Sequence, residues 1–353
     1  MKLLSIAVPS YNSEKFLAET LESLLGYEDV EVIVVNDGSK DGTLKIANEF
    51  KEKYPDYFKV IDKENGGHGS GLNAAYKIAK GLYFKCCDSD DTLDREGVLH
   101  LLDTIKKLKE EEDKLPDIFL ADYIAVYKSR NKETRCGVRK FFKVNQTIGY
   151  DKTKFLPFTE YLMIHMTFVK TQILKDNNMA LVEKTFYEDN EFVYFILGCA
   201  NSFYYIDKPI YRYALGDAGQ SVSIPNMQKN YMHEMRAFTA TFKHFSSEDY
   251  SKWSKKKQRY VLKDLSQMYV LCYTYAFLKR GKERREAFKQ VKKDCKAFDK
   301  RLFKKIRWKF LPVFITLIPV FIRPPLTRFT TKMVSRVKGW NYWYGRSKVC
   351  RTY

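Results

Sequence analysis

The chain has 353 residues, 45% of them hydrophobic and 15% aromatic, which is enough to bury one large core or one core with a second module. This composition excludes an intrinsically disordered protein. The net charge of +19 is uneven, because residues 251–353 hold 29 basic and 5 acidic residues, whereas residues 1–250 hold 33 and 38. The basic part predicts an anionic partner, which could be nucleic acid, an anionic bilayer or a charged polymer.

Residues 3–127 alternate between short β-rich runs and helical stretches, a pattern that predicts βαβ units and a mostly parallel sheet. The predicted strands are LLSIAVP, VEVIVVND, FKVID, LYFKCCD and DIFLADYIAV. Ligands of such sheets bind beyond the carboxyl ends of the strands. We therefore expect the site in the loops after the first four strands, which are PSYN, NDGSKDGT, KENGGHGSG and DSDD.

The rest of the chain divides at about residue 225. Residues 128–225 are mixed, with helices predicted at residues 158–174 and in TFYEDNEFVYFILG, and we expect this part to be the acceptor-binding half of the same domain. Residues 226–353 have a helical and basic pattern, which predicts a C-terminal region that associates with a membrane surface.

An apolar run at residues 310–322 contains Pro312 and Pro319 and is flanked by arginine and lysine. Its 13 residues are fewer than the roughly 20 that a membrane-spanning helix needs. We interpret the run as an interfacial element whose cationic flanks lie on anionic lipid, and a buried helical hairpin is the alternative.

The cysteine pattern and the N-terminus favour a cytoplasmic protein, and the basic C-terminal region predicts that it is peripheral on the inner face of the cell membrane. The seven cysteines are scattered and show no C-x-x-C or Cys/His spacing, which fits a reducing compartment. The apolar run before Pro9 is too short for a signal peptide.

The strongest chemical signal is DSDD at residues 88–91. Three carboxylates within four residues repel one another unless a cation lies among them. Mg²⁺ or Mn²⁺, shared with diphosphate oxygens, would remove this conflict and stabilise charge on a leaving group. The alternative is an Asx turn or the N-cap of the following helix.

Two other loops add to this signal. Asp37 ends the second strand in VVNDGSKDGT, where the alternative is again a turn and a helix cap. The glycines of ENGGHGSG let the backbone approach a phosphate or a sugar closely. This loop is not a Walker loop, because no G-K-[ST] comes after it. It is also not a dinucleotide-binding fingerprint, which would follow the first strand.

In order and spacing, IAVPSYN, VIVVNDGSKDGT, NGGHGSGLNAA and DSDD resemble the nucleotide-sugar glycosyltransferases of family 2, which have the GT-A fold. The resemblance covers roughly residues 1–225. It implies an α/β fold with a GT-A-type, Rossmann-like, mostly parallel sheet flanked by helices. In this chain a basic, mostly helical C-terminal extension comes after that fold.

The resemblance also implies which residues bind the donor. Pro9 and Tyr11 would lie against uracil or an equivalent base, with Tyr11 stacking, and Asp37 would hydrogen-bond the edge of the base. Independently of the resemblance, the glycine-rich loop predicts that Gly66, Gly67 and His68 contact the sugar or the phosphates. A solvated loop histidine is the alternative for His68.

The acidic residues receive roles in the same way. Asp88 and Asp90 match the D-x-D pair of the family, with Asp90 as the main metal ligand, Asp88 nearer the ribose, and Asp91 a supporting carboxylate. FYEDNEF matches the Glu-Asp pair, with Asp189 as the base that deprotonates the acceptor hydroxyl and Glu188 as its orienting neighbour. The alternative is that both acids only favour the first turn of a helix.

Two departures from the family pattern limit the transfer of roles. Leu72 stands where an arginine often occurs, so another group must meet the diphosphate, and Arg212, Gln220 and Ser221 are candidates. The Q-x-x-R-W motif of processive synthases is absent from the sequence, which favours one sugar transfer per encounter.

We therefore expect an inverting, non-processive hexosyl- or N-acetylhexosaminyltransferase that uses a nucleotide sugar, with UDP implied by the resemblance. The acceptor would be a saccharide or a lipid-linked hydroxyl in the synthesis of cell-surface polysaccharide or a teichoic-type polymer. A metal-dependent nucleotidyltransferase is the alternative, although PSYN stands where its Gly-rich basic loop would be expected. A polyanion-binding protein is a third interpretation, but no nucleic-acid module accompanies the basic tail, so we expect no nucleic-acid partner.

Overall fold

The computed structural model describes residues 2–111, 114–154, 156–157, 160–215, 229–248, 250–277, 281–309 and 350–351. Its strands are β1 (Leu4–Ser10), β2 (Val30–Asp37), β3 (Phe58–Lys63), β4 (Tyr83–Cys86), β5 (Thr92–Leu93), β6 (Ile118–Tyr127), β7 (Lys132–Cys136), β8 (Thr147–Gly149), β9 (Thr167–Lys170), β10 (Ser202–Leu215) and β11 (Cys350–Arg351). Its α-helices are α1 (Leu17–Ser23), α2 (Thr43–Lys53), α3 (His68–Ile78), α4 (Arg95–Glu110), α5 (Thr171–Asp176), α6 (Glu188–Cys199), α7 (Tyr231–Ser247), α8 (Lys255–Phe277) and α9 (Lys282–Lys309). Gln220, Ser221 and the apolar run at residues 310–322 lie outside the described residues.

The structure confirms the parallel strands that the sequence predicts. Strands β3, β2, β1 and β4 lie side by side in this order, and each adjacent pair is parallel. Every residue of β1 and β2 is buried, as expected for strands covered on both faces. The carboxyl ends of these strands therefore meet at one edge, where the loops with polar residues begin.

Helix α4 shows why a predicted helix packs where it does. Asp94 caps its N-terminus by accepting a hydrogen bond from the Gly97 N–H at 2.9 Å. Val98, Leu101 and Ile105, spaced three and four residues apart, are fully buried against the sheet. Each such side chain stabilises the fold by about 1.5–3 kcal/mol relative to an exposed one.

The second half of the sheet is mixed. Strand β9 lies between β4 and β6 and is antiparallel to both, whereas β10 pairs with β6 in parallel. Strand β10 also pairs with the short β5, which comes directly after DSDD. Residues 1–127 and 128–225 thus contribute strands to one sheet.

The helix predicted at residues 158–174 is wrong in its main part. Ile164–Met166 form a 3-10 turn, Thr167–Lys170 form β9, and only Thr171–Asp176 are α-helical. Phe168 and Val169 are fully buried in the middle of the sheet. Because a short apolar run has no clear period, pairing with two neighbouring strands decided its structure, which local sequence could not reveal.

The C-terminal helices α7, α8 and α9 pack together around aromatic side chains. The ring of Tyr269 on α8 lies 5.7 Å from that of Phe238 on α7 and 5.6 Å from that of Phe303 on α9. Helix α9 bends at Asp299, whose carboxylate caps the second half by accepting hydrogen bonds from the backbone N–H groups of Arg301 and Leu302, both at 2.8 Å.

Helix α9 contains thirteen basic and four acidic residues. Its apolar side, which includes Phe288, Val291 and Ile306, is buried, and most of its lysines and arginines are exposed. Among the described residues, every helix is too short or too polar to cross a lipid bilayer.

Candidate functional site

Asp37, the last residue of β2, holds the glycine-rich loop that follows β3. Its carboxylate accepts hydrogen bonds from the backbone N–H groups of Gly66 at 2.9 Å and Gly67 at 2.7 Å, and from Lys63 Nζ at 2.8 Å. Burial raises the pKa of Asp37, but these donors outweigh it and the net pKa is lowered. Asp37 is 2% exposed, so in this structure it shapes the loop, and its predicted contact with the base stays a prediction.

Two histidines hold the carboxylate of Asp88, one on each oxygen. His68 Nε2 lies 3.1 Å from Oδ1, and His165 Nε2 lies 3.5 Å from Oδ2. Burial opposes ionisation, yet hydrogen bonds and charge from His165 and His68 hold the pKa of Asp88 well below its usual value. Asp88 is therefore ionised, and its side chain stays 31% exposed toward the loops.

Asp91 supports the acidic loop from within. It is 1% exposed and accepts hydrogen bonds from the Tyr211 hydroxyl at 2.6 Å and the Ala214 N–H at 2.7 Å. Burial, together with the charges of Asp88 and Asp90, raises its pKa well above the usual value. The three acids thus crowd one another as the sequence predicts, and Asp90 lies exposed at the tip of the loop.

The described residues contain two groups that could hold a metal ion, namely His68, Cys86 and Asp88, and Asp88, Asp91 and His165. Burial raises the pKa of Cys86 to about 11, so its thiol is protonated and a poor ligand. Carboxylate oxygens with an imidazole nitrogen suit Mg²⁺ or Mn²⁺, so the ligand chemistry of the second group fits the predicted ion. The positive charge of a bound ion would oppose the rise in the pKa of Asp91. Asp90 belongs to neither group in this structure.

Lys85 supports the loop that carries His165, and sequence reasoning missed it. Its ammonium group donates to the carbonyl oxygens of Ile164 at 2.9 Å and His165 at 2.7 Å, and lies over the rings of Phe168 and Tyr211. The side chain is fully buried, and burial lowers its pKa to about 8. A lysine within the apolar run YFKCC was the available signal.

Asp189 lies in the first turn of α6, where the charges of Glu188 and Asp88 both act on it. Burial, and then the charge of Glu188, raises the pKa of Asp189 to about 6. A carboxylate with a pKa near 6 can accept a proton at neutral pH, so the local environment suits a general base. Tyr187, which precedes the helix, has a left-handed backbone with φ of 71°. This conformation is unfavourable for a bulky residue.

His68 bridges the two sets of acids. Its Nδ1 lies 2.8 Å from Oε1 of Glu188, while its Nε2 faces Asp88. Burial lowers the pKa of His68, but Cys86, Asp88 and Glu188 outweigh it, and the pKa is raised well above the usual value. Because the Cys86 thiol is neutral, the ionised Asp88 is a charged partner of the imidazole ring. Each ring nitrogen therefore has a carboxylate oxygen close to it, and a phosphate that contacts the ring would have to displace one acid.

Pro9 and Tyr11 lie at the end of β1. Pro9 is buried, and a side chain added at Gly71 would come within 3.0 Å of its ring, so β1 and α3 pack closely here. Tyr11 is 51% exposed, which leaves its ring open to a stacking partner.

Arg212 does not face the acidic loop, contrary to the prediction that it meets the diphosphate. Its neighbours on β10, Tyr211 and Tyr213, both contact the ring of His165. Since side chains alternate along a strand, Arg212 points to the other side, where it pairs with Glu133.

An aromatic cluster beside His165 was also missed. The ring of Tyr213 stacks on His165 at 4.3 Å, and Tyr123 lies 6.0 Å from His165 and 6.3 Å from Tyr213. Such faces can stack on sugar rings. The tyrosines are dispersed over β6 and β10, so their meeting depends on the parallel pairing of these strands.

A family model described as glycosyl transferase family 2 matches residues 5–159. For this part of the chain, the match confirms the resemblance to family 2 that the sequence motifs indicate. The match includes the acidic loop and the glycine-rich loop of the family 2 domain, and it ends before α6.

Two of the relatives that are named for an activity or a pathway act on teichoic-type polymers by their names. The chain is 43% identical over 102 residues to a poly(ribitol-phosphate) beta-glucosyltransferase of Bacillus spizizenii, which covers 27% of this chain and 16% of that protein. It is 27% identical over 229 residues to the minor teichoic acid biosynthesis protein GgaB of Bacillus subtilis, which covers 62% of this chain and 23% of that protein. The chain spans about a third or less of the length of the curated relatives it matches.

Among solved structures, residues 1–349 of S. aureus TarS in complex with UDP-GlcNAc match with a TM-score of 0.66 and 22% identity. The match covers 95% of this chain and 92% of that one. This likeness confirms the predicted GT-A-type fold, with a mostly parallel central sheet, flanking helices and a helical C-terminal region.

Proposed function

We propose that this chain is an inverting glycosyltransferase that moves a sugar from a UDP sugar to an acceptor hydroxyl in the synthesis of a teichoic-type or other cell-surface polymer. One observation carries the proposal. Asp189, whose pKa is raised to about 6, lies next to Glu188, and His68 joins Glu188 to Asp88 at distances of 2.8 and 3.1 Å. A candidate base and a candidate donor site thus belong to one cluster.

The donor would lie over the ends of β1, β2 and β4. The exposed ring of Tyr11 would stack on the base, with Pro9 beneath it, and the backbone of Gly66 and Gly67, held by Asp37, would approach the donor. UDP-GlcNAc bound to TarS and the glucosyl activity of the Bacillus spizizenii relative support a UDP-linked hexose or N-acetylhexosamine.

Asp88, Asp91 and His165, whose ligand atoms lie within 4.8 Å of one another, would hold Mn²⁺ or Mg²⁺. The exposed Asp90, assigned from the D-x-D resemblance, would complete the ligand set. When bound, the ion would neutralise the charge that develops on the departing diphosphate. The chemistry of the ligand atoms supports this assignment, since carboxylate oxygens are the ligands that hard divalent ions prefer.

The acceptor hydroxyl would give its proton to Asp189 as its oxygen attacks the anomeric carbon from the side opposite the diphosphate. The bond to the diphosphate breaks as the new glycosidic bond forms, so one displacement inverts the configuration. Glu188 orients this turn through His68. Residues 128–225, which contain α6 and the tyrosines of β10, would then form the acceptor-binding half.

The basic helix α9 would bring the enzyme to an anionic membrane surface that carries a lipid-linked acceptor. The exposed side of α9 carries Lys296, Lys300 and Lys304. Phe298, which lies between them in the chain, is 40% exposed. Each lysine near such a surface contributes about 1 kcal/mol of attraction. We place the protein on the cytoplasmic face of the membrane and expect one transfer per encounter.

A donor screen tests the proposal. Purified protein is incubated with Mn²⁺ and a panel of UDP, GDP, CDP and ADP sugars, and release of the nucleoside diphosphate is measured. We expect one class of donor, UDP-linked, to be hydrolysed slowly and to raise the melting temperature. If no donor is hydrolysed and none raises the melting temperature, the proposal is refuted.

A further inference from the structure

The turn that precedes α6, residues 182–187, is fixed from the inside by α3 and the glycine-rich loop. The side chain of Asn73 on α3 bonds both the N–H and the carbonyl oxygen of Leu181, each at 2.9 Å. The N–H of Lys184 donates to the carbonyl oxygen of Gly66 at 2.5 Å. These bonds connect the turn to the loop that Asp37 holds.

Helix α7 holds the same turn from the outside. The backbone N–H of Phe186 donates to Nδ1 of His233 at 3.0 Å. The ring of Phe186 also lies parallel to that of His233, with centroids 5.3 Å apart and an angle of 18°. His233 therefore makes a polar and a stacking contact with one residue of the turn.

The contact with His233 lies directly before the two acids of α6 in the chain. Tyr187, the residue after Phe186, has the left-handed backbone, which side chains of its kind rarely adopt without restraint from their surroundings. Helix α6 begins at Glu188, so the path of the backbone through Tyr187 sets where Glu188 and Asp189 point. A restraint on Phe186 is a restraint on both acids.

We propose that His233 is a positioning residue, which clamps the turn against α3 and so keeps Asp189 beside the cluster of His68 and Asp88. This inference rests on the proposed role of Asp189 as the base. It also gives the C-terminal helices a part in catalysis, because α7 belongs to the helical region outside the family 2 match.

The chemistry of the histidine agrees with this role. Nδ1 can accept from a backbone N–H only when it carries no proton, with the hydrogen on Nε2. Burial, and then the charge of Arg236, lowers the pKa of His233, against an opposing effect of Glu188. The neutral form that the bond requires is therefore favoured.

Four variants test the clamp. His233→Ala removes both contacts, and His233→Leu keeps bulk but cannot accept the bond. His233→Asn restores an acceptor, since its amide oxygen occupies nearly the place of Nδ1. The matched control is His244→Ala on the same helix, because His244 also packs on a phenylalanine of α6, Phe195, with centroids 4.6 Å apart, but does not bond the turn.

Two measurements are made on each full-length variant. In the protein alone, amide exchange in peptides covering residues 184–190 should be about fivefold to tenfold faster in His233→Ala and His233→Leu, as expected for loss of one hydrogen bond and its packing. With donor and acceptor, kcat should fall by about tenfold or more, because small displacements of a catalytic group are costly, while the Kd for UDP stays within about twofold. His233→Asn should recover most of both effects.

Several results would overturn the inference. One is exchange in His233→Leu equal to that in His244→Ala, and another is a loss of UDP affinity that accounts for the whole fall in activity. If the wild-type protein transfers no sugar, the proposed function fails, yet the exchange comparison still decides whether His233 clamps the turn. If His233→Ala does not fold, the comparison of His233→Leu with His233→Asn gives the same decision.

Discussion

The hydroxyl of Tyr211 lies 2.6 Å from Oδ2 of Asp91 and accepts a hydrogen bond from the backbone N–H of Asp88 at 3.0 Å. One phenol therefore joins two ends of the acidic loop to β10. Tyr211 is fully buried, and its ring also lies under Lys85 and beside His165. The shape of the acidic loop is thus set by a strand that lies more than a hundred residues later in the chain.

Replacing Tyr211 by phenylalanine should loosen this loop. The change leaves Oδ2 of buried Asp91 and the Asp88 N–H without the hydroxyl, while Oδ1 of Asp91 keeps its bond from the Ala214 N–H. This loss should lower the free energy of unfolding by about 1–3 kcal/mol. Urea unfolding measures the loss, and UDP affinity in the presence of Mn²⁺ should fall with it. Tyr204→Phe, at the other end of β10, is the control. Equal stability of the two variants would contradict the role of Tyr211.

Asp189→Asn should remove catalysis and spare donor binding. The amide keeps the shape of the side chain but cannot accept the proton, and loss of a general base typically lowers kcat by about 10²- to 10⁴-fold. The Kd for UDP should stay within about twofold of the wild-type value, since in the proposed complex the nucleotide would lie over β1, β2 and β4. Turnover that survives the substitution would exclude Asp189 as the base.

The activity should depend on pH through Asp189. Its pKa of about 6 lies above that of an ordinary aspartate, and the deprotonated form is the active one. The rate should therefore be full above about pH 7 and fall about tenfold per pH unit below 6. Glu188→Gln removes one cause of the raised pKa, so the midpoint should shift to lower pH, although burial and the charge of Asp88 still raise the pKa. An unchanged midpoint in that variant would argue that another group titrates.

Reversing charge on α9 should weaken attachment to anionic vesicles. We expect the triple change Lys296→Glu, Lys300→Glu and Lys304→Glu to remove about 3 kcal/mol or more of attraction, because each lysine contributes about 1 kcal/mol. Flotation with phosphatidylserine vesicles measures binding. The matched control reverses Lys15, Lys45 and Lys53 of the N-terminal half. Equal flotation of the two triple variants would place the membrane contact elsewhere.

The sequence could predict the parallel strands and the loops at their carboxyl ends, because each depends on local pattern. Buried runs such as VIVV indicate covered strands, and polar residues after each run mark the sheet edge where ligands bind. The acids Asp37 and Asp88 were found for this reason, whereas Asp189 was found only through the resemblance of FYEDNEF to the family's Glu-Asp pair. The family resemblance then supplied their roles.

The rest of the site depends on long-range pairing. His165 reaches Asp88 only because β9 lies between β4 and β6, where the sequence suggested a helix. Arg212 was assigned to the diphosphate, but the register of β10 turns it toward Glu133. Which face of a strand carries a residue changes with a shift of one position in register, and no local pattern fixes that register here.

The most direct test of the account is a calorimetric titration of UDP into the protein with Mn²⁺ and again with chelator. We predict that Mn²⁺ tightens UDP binding by about tenfold or more, equivalent to about 1.4 kcal/mol, and that Asp90→Asn loses most of this gain. UDP that binds equally well in chelator, or not at all in either buffer, would contradict the proposal that the acids after β4 hold a metal shared with a nucleotide sugar.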